Sequence, residues 1–314
     1  MPLLTRKTWL LAKIESSEGS DPSPVGGSNA IQVTNVDITP IEADAVQAPA
    51  LQGFLGNSTR GTVLDNKRVS VSFSTELSGS GAAGTAPAYG PLLKSAGLSE
   101  TVASSTSVTY APVSASFSSC TIYCFYDLTR HKITGARGTV TFNLVAGQIA
   151  SADFQFIGVY NAPDSTDMSG TWTLANQAAG LEVNNTNVTT ATLHGATSQR
   201  IESFDLALNN ELVYKETASS KQALIVNRAP GGTAVIEALD TATTDYFAKA
   251  SAVATGATDI ILGASAGNIV RLKADQTDIT GASYGDTNGV RSLNLPYLAL
   301  PTTAGNNEMS LIYT

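Results

Sequence analysis

Charge is the scarcest ingredient of this sequence. Only 14% of its 314 residues are charged, well below the roughly 25% of an average soluble protein. Glu, Lys and Arg are too few to clothe a mostly helical chain. The balance is acidic, a net charge of −8 without any basic run. That argues against holding nucleic acid through its phosphates. An acidic wall can still be a conduit for DNA, because a surface that repels phosphate does not stall the polymer. No apolar run approaches the roughly 20 residues of a membrane span. The opening stretch, MPLLTRKTWLLAKIESSEG, has no long h-region and no small-residue cleavage site. No export signal is read there, and synthesis in the cytoplasm is expected.

Cysteine and histidine are nearly absent. Cys120 and Cys124 stand four apart in a predicted strand, about 13 Å from each other at strand rise, too far for a disulfide. They read as free thiols packed as small apolar residues. With His131 and His194 the only histidines, neither a zinc site nor a Ser-His-Asp triad assembles. His131 reads as part of a solvated turn. Gly79, Gly81 and Gly84 form a literal GxGxxG. The dinucleotide fingerprint needs a buried parallel strand before it and a helix opening within it. Here the preceding strand is half-polar, and Pro87 delays the helix, so the glycines read as a flexible turn. Asp275, Asp278, Asp286 and Asn288 lack EF-hand spacing and read as turn residues. No enzymatic activity, cofactor or metal is expected.

Ser, Thr, Ala, Gly and Asn fill the space that charge leaves, the composition of extended sheets whose surfaces neighbours cover. Val69, Val71 and Phe73 alternate with Ser70, Ser72 and Ser74, which predicts a strand apolar on one face and polar on the other. A short helix follows, with Leu92, Leu93, Tyr89 and Ala96 on one stripe, Pro87 at its start and Gly97 at its end. Ile201 to Leu208 plays the same part later. A second helix follows it over Asp245 to Ala252, with Thr244 as N-cap. Ala223–Asn227 and Thr233–Ala238 are predicted to pair as a hairpin, and Thr171–Leu174 to be a strand. Residues 1–30 read as an arm, 31–165 as a first β domain and 166–314 as a second, divided at NAPDSTDMSG (161–170). Residues 41–66 read as a long loop, of the kind that packs on a partner.

Several blocks resemble the tail tube proteins of long-tailed, siphovirus-type bacteriophages. They include IQVTNVDITPIEADA, LQGFLGNSTRGT, GSGAAGTAPAYGPLLKSAG, GTVTFNLVAGQIASADFQFIGVYNAP, NRAPGGTAVIEA, GNIVRLKADQTDITGASYGDTNGVRSLNLP and GNNEMSLIYT. Together they span nearly the whole chain, and none is a catalytic signature. The resemblance implies a mainly β fold of two tail-tube-like β-sandwich or half-barrel domains, each flanked by a short helix. On oligomerisation these would close into a ring-shaped β-barrel channel. It implies a structural virion protein whose rings stack into the hollow tail tube through which DNA reaches the host, without specific binding or membrane insertion. Its partners would be itself, the tape-measure protein, the tail terminator and the distal tail or baseplate proteins, assembled in the bacterial cytoplasm. Two tube domains per chain suggest a trimeric ring with pseudo-sixfold symmetry. A hexamer with one tube and one decoration domain is the alternative. Trp9, Leu10, Leu11 and Ile14 in the arm, with Phe54 and Leu55 in the long loop, are the expected ring-to-ring contacts. Ser70, Ser72, Ser74, Glu202 and Asp205 are expected to face the lumen. The rival readings are a fimbrial or capsid-decorating β subunit and, further off, a β-sandwich enzyme.

Overall fold

The structure is a computed structural model and describes residues 3–47, 51–55, 61–166, 171–252 and 254–314. The first half runs β1 (Thr8–Ile14), α1 (Gly26–Asn29), β2 (Ala30–Ile31), β3 (Thr34–Val46), β4 (Val63–Glu76), α2 (Gly90–Ser95), β5 (Leu98–Ala103), β6 (Ser107–Pro112), β7 (Cys120–Tyr126), β8 (Thr129–Val145) and β9 (Ser151–Tyr160). The second runs β10 (Val188–Thr192), β11 (Ile201–Ala207), β12 (Asn210–Glu216), β13 (Lys221–Arg228), β14 (Gly231–Glu237), α3 (Tyr246–Ser251), β15 (Gly256–Leu262), β16 (Val270–Ile279), β17 (Ser283–Thr287), β18 (Val290–Ala299) and β19 (Ser310–Tyr313). The fold is mainly β, a sandwich in which every strand pairing among the described residues is antiparallel.

One layer is the run β3-β4-β9-β8-β11-β14-β18-β17. The other is β5-β6-β19-β16-β15-β10. Both layers cross from one half to the other. β8 meets β11 from Thr141↔Ala207 to Val145↔Ser203, and β19 bridges β6 and β16. The main apolar core fills the space between the layers, and a smaller cluster of Leu11, Ala30, Tyr123 and Phe125 packs with Trp9 and Trp172. Val69, Val71 and Phe73 point into the main core as their alternation predicts. Phe73 stacks on Phe154 at 5.6 Å and on Phe156 at 6.2 Å.

The halves repeat a strand order. β3-β4-β9-β8 in the first corresponds to β11-β14-β18-β17 in the second, with α2 and α3 each following the second strand in sequence. Superposing Glu76 on Glu237 puts Ser151 of β9 on Ser292 of β18, because each is the other's pairing partner. Burial then alternates in step along both strands, with Ala152, Phe154 and Phe156 matching Leu293, Leu295 and Tyr297. On β8, Thr141–Val145 falls on Ser283–Thr287. On β3, Val36, Asp37 and Ile38 fall on Phe204, Asp205 and Leu206, and a bulge precedes that stretch in each.

Four expectations are corrected here. Residues 1–30 are no loose arm. β1 pairs with β7 along its whole length, and Leu10, Leu11 and Ala12 are buried. The chain after β1 is pinned as well. Glu15 accepts from the Ser119 and Thr121 hydroxyls at 2.7 and 2.6 Å and from the Gly135 N–H at 2.8 Å, and Glu18 pairs with Arg137 at 2.8 Å. A buried carboxylate with several donors costs little to hold and a great deal to expose without them. The apolar patch therefore serves this chain's own core, worth about 1.5–3 kcal/mol per buried leucine.

Residues 41–66 are also not simply a loop. β3 and β4 extend into them as a hairpin paired as far as Val46↔Val63. The loop's residues 48–50 and 56–60 lie outside the described residues, as do 167–170 of the expected domain divide. Finally, β13 pairs with β12, not with β14. β14 lies between β11 and β18, so the Ala229-Pro230 turn redirects the chain instead of closing a hairpin. Thr171–Leu174 forms no strand. The stretch that follows the divide packs on the first half, as Ala178 N–H donates to Gly79 O at 2.9 Å and Val183 N–H to Gln148 O at 2.8 Å.

Candidate assembly surface

Ser70, Ser72 and Ser74 sit half-exposed on β4, opposite the buried face. Cross-strand neighbours share a face. The polar face therefore continues through Asp153 and Gln155 of β9 and Thr139, Thr141 and Asn143 of β8 to Asp205 of β11. Asn143 Nδ2 donates to Asp153 Oδ2 at 2.6 Å, and Asp205 Oδ2 accepts from the Thr233 N–H at 3.1 Å. Burial holds the Asp205 carboxyl above its ordinary pKa, partly offset by that hydrogen bond. Glu202 stands nearer the end of β11, at its bulge, and accepts from Thr287 Oγ1 at 2.7 Å. The structure thus brings Ser70, Ser72, Ser74 and Asp205 onto one polar sheet face with a carboxylate bias, and puts Glu202 at its margin.

The expected apolar contacts divide into two groups. Leu10 and Leu11 are buried in the chain's own packing and are withdrawn as contacts between rings. Ile14 packs against the main core, and Trp9 meets Trp172 with ring centroids 4.8 Å apart. Phe54 and Leu55 lie near the tip of the β3–β4 hairpin, and both are exposed, Leu55 completely. They do not stand alone. Ile41, Val46, Leu51, Val63 and Leu64 are exposed on the same hairpin. A cluster of large apolar side chains on one protruding hairpin marks a surface that another molecule covers.

The two ends of the long run are the second assembly feature, and sequence reasoning missed them. Among the described residues β3 is paired along one side only, by β4, and β17 along one side only, by β18. An edge strand offers a row of unpaired N–H and C=O groups to another chain. Beside the β17 edge, Tyr284 rests on Phe247 of α3 with centroids 5.3 Å apart, and Arg291 lies over the Tyr284 ring. Tyr284 is 59% exposed. Its signal in the sequence was an aromatic in the turn-rich SYGDTNGV, where a solvated tyrosine is ordinary.

The glycine motif has a structural purpose. Gly81 and Gly84 adopt positive φ of 90° and 69°. A Cβ on Gly79 would stand 2.1 Å from the Gly267 carbonyl oxygen. The turn is tight and locks onto the 265–268 loop, with Gly81 N–H donating to Gly267 O at 2.9 Å. His131 lies within β8, opposite Cys124, instead of in a turn. Cys120 and Cys124 are free and buried, and burial pushes both thiols up to about 12.

The features that stand out are thus an antiparallel sandwich whose long layer is open at both ends among the described residues, an exposed apolar hairpin and a polar face. The phage tail tube protein family matches residues 5–299, and the chain belongs to that family. It is a structural protein of the bacteriophage virion, one that self-assembles with other tail proteins into the tail tube. Between the tail tube and a fimbrial or capsid-decorating subunit, that membership decides for the tube. No curated protein matches the chain.

Proposed function

We propose that this chain forms the tail tube of a long-tailed, siphovirus-type phage by closing into rings that stack around a DNA channel. The observation that carries the reading is the β8–β11 junction, where two halves with the same strand order join edge to edge. A chain already built from two joined repeats needs three copies to make a sixfold wall. The ring is therefore a trimer with pseudo-sixfold symmetry, its two tube-like domains spanning about 31–165 and 166–314, with β1 added to the first. The face bearing Ser70, Ser72, Ser74 and Asp205, with Glu202 at its margin, lines the channel. Its carboxylates and hydroxyls do not hold phosphate, and Arg68, in line with the serines, is occupied by Glu42 and Asp44. Phe54 and Leu55 on the hairpin are contacts between subunits, and the half-buried Trp9 and Ile14 of β1 remain candidate contacts. The tape-measure protein fills the channel during assembly in the bacterial cytoplasm, and the terminator and distal tail proteins cap its two ends.

Electron microscopy of the purified, polymerised protein tests this. Hollow tubes with three chains per ring are expected. Six chains per ring would overturn the two-tube-domain reading. Globular particles only, with the other tail proteins present, would overturn the tube.

A further inference from the structure

In the long layer the two repeats join edge to edge once, at β8–β11, so the structure supplies a template for the junction that layer lacks. At the internal joint, Thr141–Val145 of β8 pairs with β11 through Asp205↔Asn143, Leu206↔Phe142 and Ala207↔Thr141. The repeat correspondence carries those β8 residues onto Ser283–Thr287, the whole of β17. It carries Phe204, Asp205, Leu206 and Ala207 of β11 onto Val36, Asp37, Ile38 and Thr39 of β3. The segments that meet inside the chain thus correspond to the two segments left open at its ends.

We infer that β17 of one copy pairs antiparallel with β3 of the next, in the register Asp37↔Gly285, Ile38↔Tyr284 and Thr39↔Ser283. The inference rests on the ring reading above and names its interface.

Burial at the equivalent positions supports it. Phe142 and Leu206, paired at the internal joint, are 0% and 1% exposed. Their counterparts Tyr284 and Ile38 are 59% exposed and half-buried. Phe204 is buried, and its counterpart Val36 is only partly covered. The open joint keeps the apolar pair at its centre, Tyr284 with Ile38, and differs at the next position along β17, where Asp286 stands in place of the buried Leu144. Asp205 and Asp37 share the polar face in each case. The second hairpin of the template points the same way. β12–β13 runs from the joint over the first half, where Tyr214 Oη donates to Lys67 O at 3.0 Å and Asn210 Nδ2 to Gly138 O at 2.9 Å. The β3–β4 hairpin beyond Thr39 would run over the neighbour's second half in the same way, which gives its exposed apolar residues a place within the ring.

The test is a Thr39→Cys/Ser283→Cys chain, assembled and treated with a short bismaleimide. Both sites are exposed, and directly opposed Cβ atoms lie about 4.5–5.5 Å apart. The native thiols are buried and do not compete. Tubes should yield covalent dimers and closed trimers on denaturing gels, and either single variant should yield neither. A ladder reaching six supports the junction and overturns the threefold ring. Hollow tubes with no bridged species overturn the junction and leave the tube reading standing. Hydrogen exchange on the unmodified chain reads the same junction without a substitution. Those amides of Val36–Thr39 and Ser283–Thr287 that face the open edges should slow at least tenfold on assembly, and exchange as fast in tubes as in free chains overturns the pairing. If the unmodified chain forms no tubes at all, the ring reading falls and the junction with it.

Discussion

The hydroxyls of Tyr89 and Tyr313 meet 2.8 Å apart inside the core. Tyr89 caps the start of α2 and also donates to Ser78 O at 2.7 Å, while Tyr313 ends β19. The contact fastens the glycine turn and the first helix to the strand that ties the halves together. Burial raises both phenols well above their ordinary pKa, so neither ionises in the folded chain.

Tyr313→Phe removes one buried hydrogen bond and should cost about 1 kcal/mol, read as a lower urea midpoint. Deleting residues 310–314 removes the strand between β6 and β16. That chain should lose the cooperative transition of both halves together. A second half that unfolds alone, with the first unaffected, would show that β19 does not couple them.

Removing residues 1–20 should prevent folding, not merely assembly. The deletion takes Leu10, Leu11 and Ala12 from their packing and strips β7 of a neighbour. Circular dichroism would show lost sheet. A folded truncation would contradict the placement of β1.

Phe54→Ser with Leu55→Ser should leave the melting temperature of the free chain within about 2 °C, because both side chains are exposed, and surface changes lie within about 0.5 kcal/mol. Tube formation by light scattering should fall at least tenfold. Unchanged assembly would dismiss the hairpin as a contact.

Asp205 carries a pH signature. Its folded pKa is raised by burial, partly offset by the Thr233 N–H. Its contribution to stability is therefore present below the unfolded pKa and lost as pH rises through the folded one. Asp205→Asn should stabilise the chain at pH 7 relative to the parent, and the gain should vanish near pH 3. An equal effect at both pH values would assign it to packing.

The thiols report opening. With Cys120 and Cys124 buried and pushed up to about 12, iodoacetamide at pH 8 should label neither in the folded chain and both in urea. Fast labelling of the native chain would contradict the packing of β7.

Much of the β architecture was legible because its signal is local. Alternation at Val69, Val71 and Phe73 fixes a half-buried strand whatever lies beside it. Gly97 in its positive-φ conformation ends α2 where the sequence places the stop. The second helix was read nearly to its bounds, although Asp245 and not Thr244 accepts the capping hydrogen bond, from the Ala248 N–H at 2.9 Å. The family resemblance was legible in the order of many blocks.

The misses share one cause. Periodicity shows that a residue has a buried side but not which element buries it. Trp9, Leu10 and Leu11 looked like an arm's adhesive patch and proved to belong to a core strand, because β7 lies more than a hundred residues away. The hairpin expected around Pro230 dissolved because β11 and β12 outcompeted the nearer partners.

By itself the sequence determined that this chain is a low-charge antiparallel β protein, that it has no basic run, and that its blocks run in the order of a tail tube protein. Those properties follow from residue type and spacing along the chain. Only the tertiary structure decided which strands meet, that β8 joins β11, and that Phe142 is covered while its counterpart Tyr284 is left open. Strand pairing is a long-range choice among edges that all offer the same backbone groups, and it is settled only when the whole core has packed.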